Sequence, residues 1–422
     1  MTERLIQFIW QFQYFNKREL QTIGGEQLQI IYPGRLNTNQ GPDFCEAKIK
    51  IDDTILVGSV ELHVYASQWL QHHHTDDVQY RKVVLHVVWL HDKEIILPNK
   101  SKLPTLELQP LVSILLLKRY EQLMHAQGFV ACETRLPLLS ELSWQSWKER
   151  LIVERLSRRA QTINEVFRQT NFHWEETFWR LLAKNFGITV NTECFEETAS
   201  TIPVTILAKH KNQLVQLEAL LLGQAGLLQT NFTEDYPNLL KREYVFLKKK
   251  YRLATVNTQP VFLRMRPANF PTVRLAQLAA LIHNASHLFS VIKEATTITT
   301  VKNLFEVTAN DYWHYHYKLD EPCDYKPKQL GTQMINNILI NTVVPVLFAY
   351  GVHHKEQQRK ETALQWLMEV SAENNSITNN WKQRNVPNVN AFDSQALLEL
   401  KKNYCDARKC LECAVGNRLM RE

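Results

Sequence analysis

The sequence predicts an α+β protein in which an N-terminal mixed-sheet unit precedes a large, mainly α-helical region. Three observations predict it. Residues 1–130 hold several short runs rich in β-branched side chains, set between Gly, Pro and Asp turn signals. From Ser143 onward the apolar residues recur at helical spacing instead. The chain, at 422 residues, is also too long for one ordinary core. The expected division is a sheet unit over 1–135, a helical unit over 136–390, and a last helix with a cysteine cluster over 391–422.

Taken in order, Leu5, Ile6, Phe8, Ile9, Trp10 and Phe12 follow Thr2 at mixed three- and four-residue spacing, which predicts a short buried helix capped by Thr2. Residues 28–32 read as a strand ended by Pro33-Gly34. Residues 44–51 and 55–63 flank Asp52-Asp53-Thr54 and read as a hairpin. The nearly continuous apolar run over 80–90 belongs to a strand buried on both faces. Short strands are expected at 95–97 and 105–108, and a helix at 111–124. The helical region is expected to start with Ser143 as a cap. It should continue through 174–182, 218–222, 274–282, 331–347 and 361–370. The Asn- and Ser-rich stretch 372–389 reads as a loop, and a last helix is expected over 394–402. No fixed-period repeat is visible, so a solenoid is not expected.

The composition is that of an ordinary globular chain, 45% hydrophobic and 22% charged, with a net charge of +6 that identifies no partner by itself. Seven cysteines do not make a disulfide scaffold. The first residues lack a basic region followed by an apolar run, and no stretch of 18 apolar residues occurs. No leader and no membrane partner are expected, and the cytoplasm is the expected location.

The candidate chemistry lies in 40–63. Asp43 opens the first strand of the hairpin and Glu61 lies near the end of the second, so pairing across the turn brings the two carboxylates together. Mg²⁺ or Mn²⁺ held by such a pair can clamp a phosphate and activate water. His63 stands two residues beyond Glu61 and shares its face, where it can orient water, contact phosphate or act as a base. Alternation from Asp43 places Lys48 and Lys50 on the opposite face. The run 67–77 holds His72, His73, His74, Asp76 and Asp77. His72 or His74, with Asp76, is expected to face the site, while His86 reads first as a core histidine.

Pro42-Asp43, a hairpin, and Glu61-Leu62-His63 resemble the PD-(D/E)xK nuclease motif, with His63 where that motif has lysine. The resemblance implies a restriction-endonuclease-like fold for the N-terminal unit and phosphodiester hydrolysis of DNA or RNA. The chain is also similar, over nearly its whole length, to an uncharacterised bacterial family. That likeness rests on Gly41-Pro42-Asp43-Phe44, Val60-Glu61-Leu62-His63, Leu85-His86-Val87-Val88, residues 264–271, and Tyr404-Cys405 with Lys409-Cys410-Leu411-Glu412-Cys413. It implies no particular activity.

Two further groups stand out. Residues 241–274 carry many cations with interleaved aromatics. Among them Arg264 and Arg266 alternate in an extended run and, with Arg274, are candidate phosphate contacts for a nucleic-acid partner. Cys405, Cys410 and Cys413 have metal-ligand spacing, suited to zinc or an iron–sulfur cluster, and need a fourth ligand such as Cys132 or Cys323. The expected function is a metal-dependent nuclease. The alternative is a catalytically inactive nucleic-acid-binding or scaffold protein on a degenerate nuclease fold.

Overall fold

The computed structural model describes residues 1–285 and 287–421. They form two compact units, Met1–Ser143 together with Lys401–Glu422, and Trp144–Leu400.

The first unit opens with α1 (Glu3–Phe12), whose start is held by the Leu5 N–H donating to Thr2 Oγ1. Leu5, Ile6, Phe8, Ile9 and Trp10 bury one face of it. A six-stranded mixed sheet follows, made of β1 (Leu28–Tyr32), β2 (Arg35–Leu36), β3 (Phe44–Ile51), β4 (Thr54–Tyr65), β5 (Val83–Leu90) and β6 (Thr105–Glu107). Its order is β1-β3-β4-β5-β6, with β2 also on β3. The β1, β3 and β4 pairings are antiparallel, whereas β4, β5 and β6 run parallel. The near-continuous apolar run of β5 is thus a central strand, with His86, Val87 and Val88 fully buried.

Parallel neighbours cannot be joined by a tight turn, so the chain between β4 and β5 crosses a face of the sheet. That crossover carries α2 (Gln68–Gln71) and a 3-10 turn (Val78–Lys82). Trp69 anchors it, packed in a small core with Val83, Ile95 and Leu103.

Strict alternation along β3 fails. Phe44 faces Val60 but Ala47 faces Gly58, so β3 holds one extra residue there, and Glu46 takes a left-handed φ of 62°. Beyond this bulge Lys48 faces Val57 and Lys50 faces Ile55, on the same side as Glu61 rather than the opposite one. They still stand four or more residues down the strand from Glu61, a distance of at least about 13 Å, and Lys50 pairs with Asp53 at 3.7 Å.

Other expectations shift. Residues 95–97 make only an isolated bridge, Ile96 to Lys102, because the buried side chain there is Ile95 alone. The expected loop at 372–389 contains a helix, Ser376–Gln383. Its Asn and Ser residues are the cap: Asn375 and Thr378 form a capping box, and Trp381 is wholly buried. Ser143 lies inside the helix Glu141–Gln169, and its N–H donates to Ser140 Oγ, which does the capping.

The second unit is helical around one large core. It contains one unbroken helix long and apolar enough to cross a membrane among the described residues, Thr332–His353, but 72% of its most apolar window is buried inside the protein. Inside the unit, Glu399 is completely buried and accepts both guanidinium N–H groups of Arg158 at 2.6 Å.

Candidate metal centre

Two carboxylates and four imidazoles meet where β3, β4 and β5 run side by side. The Asp43 N–H donates to Glu61 Oε2 at 3.0 Å, and the Leu62 N–H donates to Asp43 Oδ2 at 3.0 Å. Each acid is thus held by the other strand's backbone, which fixes the pair across the hairpin. Gln7 of α1 donates to Asp43 Oδ1 at 2.7 Å. Beside Glu61 on the parallel partner lies His86, in register with it. His86 Nε2 and His63 Nδ1 share a hydrogen bond of 2.9 Å.

The crossover supplies the rest. His73 is exposed and takes a left-handed φ of 58°. On either side of it, His74 turns inward and is buried, and His72 stays exposed but reaches the cluster. His63 Nε2 and His72 Nδ1 share a hydrogen bond of 3.2 Å. His74 Nε2 lies 3.4 Å from Glu61 Oε1, and His63 Nε2 lies 3.7 Å from the same oxygen. The donor atoms of His63, His72 and His74 all fall within 4.8 Å of one another. Tyr80 stacks on His74 at 3.7 Å between ring centroids, and Trp69 packs its edge against His74 and His86.

Burial sets the protonation. Glu61, His63, His74 and His86 are all less than one-tenth exposed. Desolvation pushes the Glu61 carboxyl well up, to about 9, with the Asp43 charge adding to it. Asp43 also rises, to about 6, mainly by burial. The imidazoles move the other way: burial, with the neighbouring rings adding, drives His63 down to about 2, and burial takes His74 to about 4 and His86 to about 3. Burial thus favours the neutral form of both the carboxyls and the imidazoles, so charge enters this spot only with a compensating partner. Two buried nitrogens, His74 Nε2 and His86 Nδ1, have no hydrogen-bond partner, and His74 Nε2 faces Glu61.

The donor set bears on the metal. Mg²⁺ prefers six oxygen ligands, whereas imidazole suits Mn²⁺, Zn²⁺ and their neighbours. Three imidazoles with one or two carboxylates fit the second group. His63 has both ring nitrogens engaged by other imidazoles and is held far below neutrality, so it fits an orienting group and not a base, and ligates a metal only by giving up its bond to His72. His72 is the exposed member, and through it the cluster reaches solvent.

Some expected residues lie elsewhere. Asp76 is exposed and takes no part in the hydrogen bonds of the cluster, because the chain has already turned outward after His74. Arg274, an expected phosphate contact, is buried in the helix Pro271–Asn284, where it donates to Gln277 Oε1 and Asn269 Oδ1. Arg264 and Arg266 are exposed, but not on a strand. Arg264 has a left-handed φ of 61° in a turn, and a 3-10 turn starts at Pro267, so alternation does not relate them. The cations Lys248, Lys249 and Lys250 close the last turn of a helix, where they suit its negative end. Gln7, Trp69 and Tyr80 were not foreseen. Gln7 gave a faint signal as a polar residue inside an otherwise apolar stretch of α1.

Residues 3–376 match a family described as "Protein of unknown function (DUF2851)". No curated protein and no solved structure matches the chain.

Proposed function

The chain belongs to the DUF2851 family, and we propose that it is a metal-dependent phosphodiesterase acting on nucleic acid, with its centre at Asp43, Glu61 and the adjoining histidines. The observation that carries this reading is the convergence of both carboxylates with His63, His72 and His74 at one buried spot that opens to solvent through His72. The resemblance of Pro42-Asp43 and Glu61-Leu62-His63 to a nuclease motif supports the choice of phosphodiester substrates.

In this reading Asp43, Glu61 and His74 would hold the metal, and the chemistry it would supply there is Lewis-acid polarisation of a phosphate and activation of water. His63 supports the ligand set, its ring fixed between His86 and His72. His72, at the solvent side, is placed to take a proton from water. Gln7 keeps Asp43 in position. The His74 imidazole beside the carboxylates favours Mn²⁺ or Zn²⁺ over Mg²⁺. Arg264 and Arg266 serve as exposed phosphate contacts on the helical unit.

The test uses the full chain, stripped with chelator, on plasmid DNA and single-stranded RNA with Mg²⁺, Mn²⁺ or Zn²⁺. Cleavage is expected with Mn²⁺ or Zn²⁺ and is expected to vanish in Asp43→Ala, Glu61→Ala and His74→Ala. Cleavage that persists in those variants refutes the assignment. Salt-sensitive binding with no cleavage under any metal refutes catalysis and favours the non-catalytic binding protein.

A further inference from the structure

A second group of metal-binding side chains lies in the N-terminal unit, and it owes nothing to the nuclease reading. Cys132 follows the sheet region. Cys405 ends the π-helical turn Leu400–Cys405, and Cys410 and Cys413 lie just before the final helix Ala414–Arg421. All four are free thiols, and all four line one void of about 10 Å³ together with Tyr404, Lys409 and Gly416. A space of that size holds about one water-sized atom.

The tail is shaped to bring these sulfurs together. A side chain at Gly416 would place its Cβ 2.0 Å from the Cys410 carbonyl oxygen, so only glycine lets the final helix start against the 405–413 loop. The backbone N–H groups of Gly416 and Val415 act to lower the Cys413 thiol against the rise that burial imposes. Arg408 donates to the carbonyl oxygens of Ala126 and Leu123, which fastens the loop near Cys132.

The thiols have no use for one another as they stand. Burial pushes Cys132 up to about 12 and Cys410 up to about 11, and raises Cys405 and Cys413 as well. The neighbouring sulfurs add to the rise at Cys132, Cys405 and Cys410, which places them within electrostatic reach of each other. Lys401 acts the opposite way on Cys405, and Arg408 on Cys410.

We propose that Cys132, Cys405, Cys410 and Cys413 form a four-thiolate metal centre, for one zinc ion or a small iron–sulfur cluster, that staples the C-terminal tail into the N-terminal unit. Binding Zn²⁺ releases the four thiol protons and leaves a centre of net charge −2. Lys401, Arg408 and the Val415 and Gly416 N–H groups offset that charge. Among the described residues no three of these sulfurs stand within 4.8 Å of one another, whereas four thiolates on one zinc stand about 3.8 Å apart at a Zn–S bond of about 2.3 Å. One zinc ion therefore needs the sulfurs to close in on the void they line. Both sources use the same thiolate chemistry, and metal content separates them.

The full chain is purified without oxygen and without added metal, then assayed for zinc, iron and acid-labile sulfide. The expected result is either zinc near one equivalent per chain, or iron with matching sulfide. One equivalent of zinc, or the iron with its sulfide, is expected to be lost in Cys132→Ser and Cys410→Ser and kept in His74→Ala, which removes only metal held at the histidines. Equal content in the wild type and the cysteine variants overturns the proposal, as does a wild type with neither zinc nor iron. In case the cysteine variants do not fold, the unaltered chain is stripped and titrated with Co²⁺. Thiolate-to-cobalt charge-transfer absorption is expected at an intensity that matches four sulfurs, and its absence overturns the proposal. Imidazole and carboxylate ligands give no such band, so the result stands apart from that at the histidine centre.

Discussion

Glu61→Gln should make the metal-free protein more stable at neutral pH and, at the same time, deprive it of its metal. Glu61 is 6% exposed, and its carboxyl is pushed from 4.5 to about 9, first by burial and then by Asp43. Between those values the native state keeps a proton that the unfolded chain has released. Stability therefore falls as pH rises across that window, beginning near 4.5. Each pH unit is worth about 1.4 kcal/mol, so by pH 7 the loss is about 3 kcal/mol. Glutamine has the shape of the protonated acid: its oxygen can accept the Asp43 N–H, and its amide can face His74 Nε2. It has no proton to lose. The variant should recover about 3 kcal/mol at pH 7, a rise in Tm of roughly 6–12 °C for a unit of this size, and the difference should close toward pH 5. His63, His74 and His86 titrate in the opposite sense, since their folded values are depressed and stability falls as pH drops below 6.5. That term is common to both proteins and cancels in the comparison. Thermal unfolding in chelator at pH 5 and pH 7 measures the first effect. Repeating it with Mn²⁺ or Zn²⁺ measures the second, because a ligand at a hundred times its Kd stabilises the native state by about 2.7 kcal/mol. The reasoning fails if Glu61→Gln is less stable than wild type in chelator at pH 7, or if it gains as much from metal.

Two more outcomes check the surroundings of the centre and its partner. Trp69 is 1% exposed and packs against His74 and His86, so Trp69→Ala should cost about 3–5 kcal/mol and weaken metal binding. Denaturant unfolding and a metal titration below the unfolding transition measure both, and unchanged metal affinity in the folded variant counts against the packing argument. Arg264→Ala with Arg266→Ala should leave stability within about 0.5 kcal/mol yet lower nucleic-acid affinity and flatten its salt dependence. Arg274→Ala should instead destabilise by about 1–3 kcal/mol by orphaning Asn269 and Gln277. A binding curve that responds only to Arg274 would reverse this division.

What the sequence determined by itself was local. The helix behind Thr2, the strand before Pro33-Gly34 and the hairpin around Asp52-Asp53 follow from periodicity, caps and turn residues, all of which act within a few positions. The meeting of Asp43 and Glu61 belongs to the same class, because a hairpin brings its two ends together by pairing alone. Tertiary structure decided the rest. The bulge at Glu46 shifted the faces of Lys48 and Lys50, since one extra residue reverses every later side chain. The parallel β4–β5 pairing forced the crossover that carries His72 and His74 over the sheet and leaves Asp76 outside. Burial sets Arg274 to bracing its helix against the 3-10 turn before it, through Gln277 and Asn269. Only the return of residues 401–421 to the N-terminal unit places Cys132 beside Cys405, Cys410 and Cys413. Spacing along a chain reports which atoms share a turn or a strand. It carries no record of which distant segments fold back to meet, and both the histidine cluster and the cysteine cluster depend on such meetings.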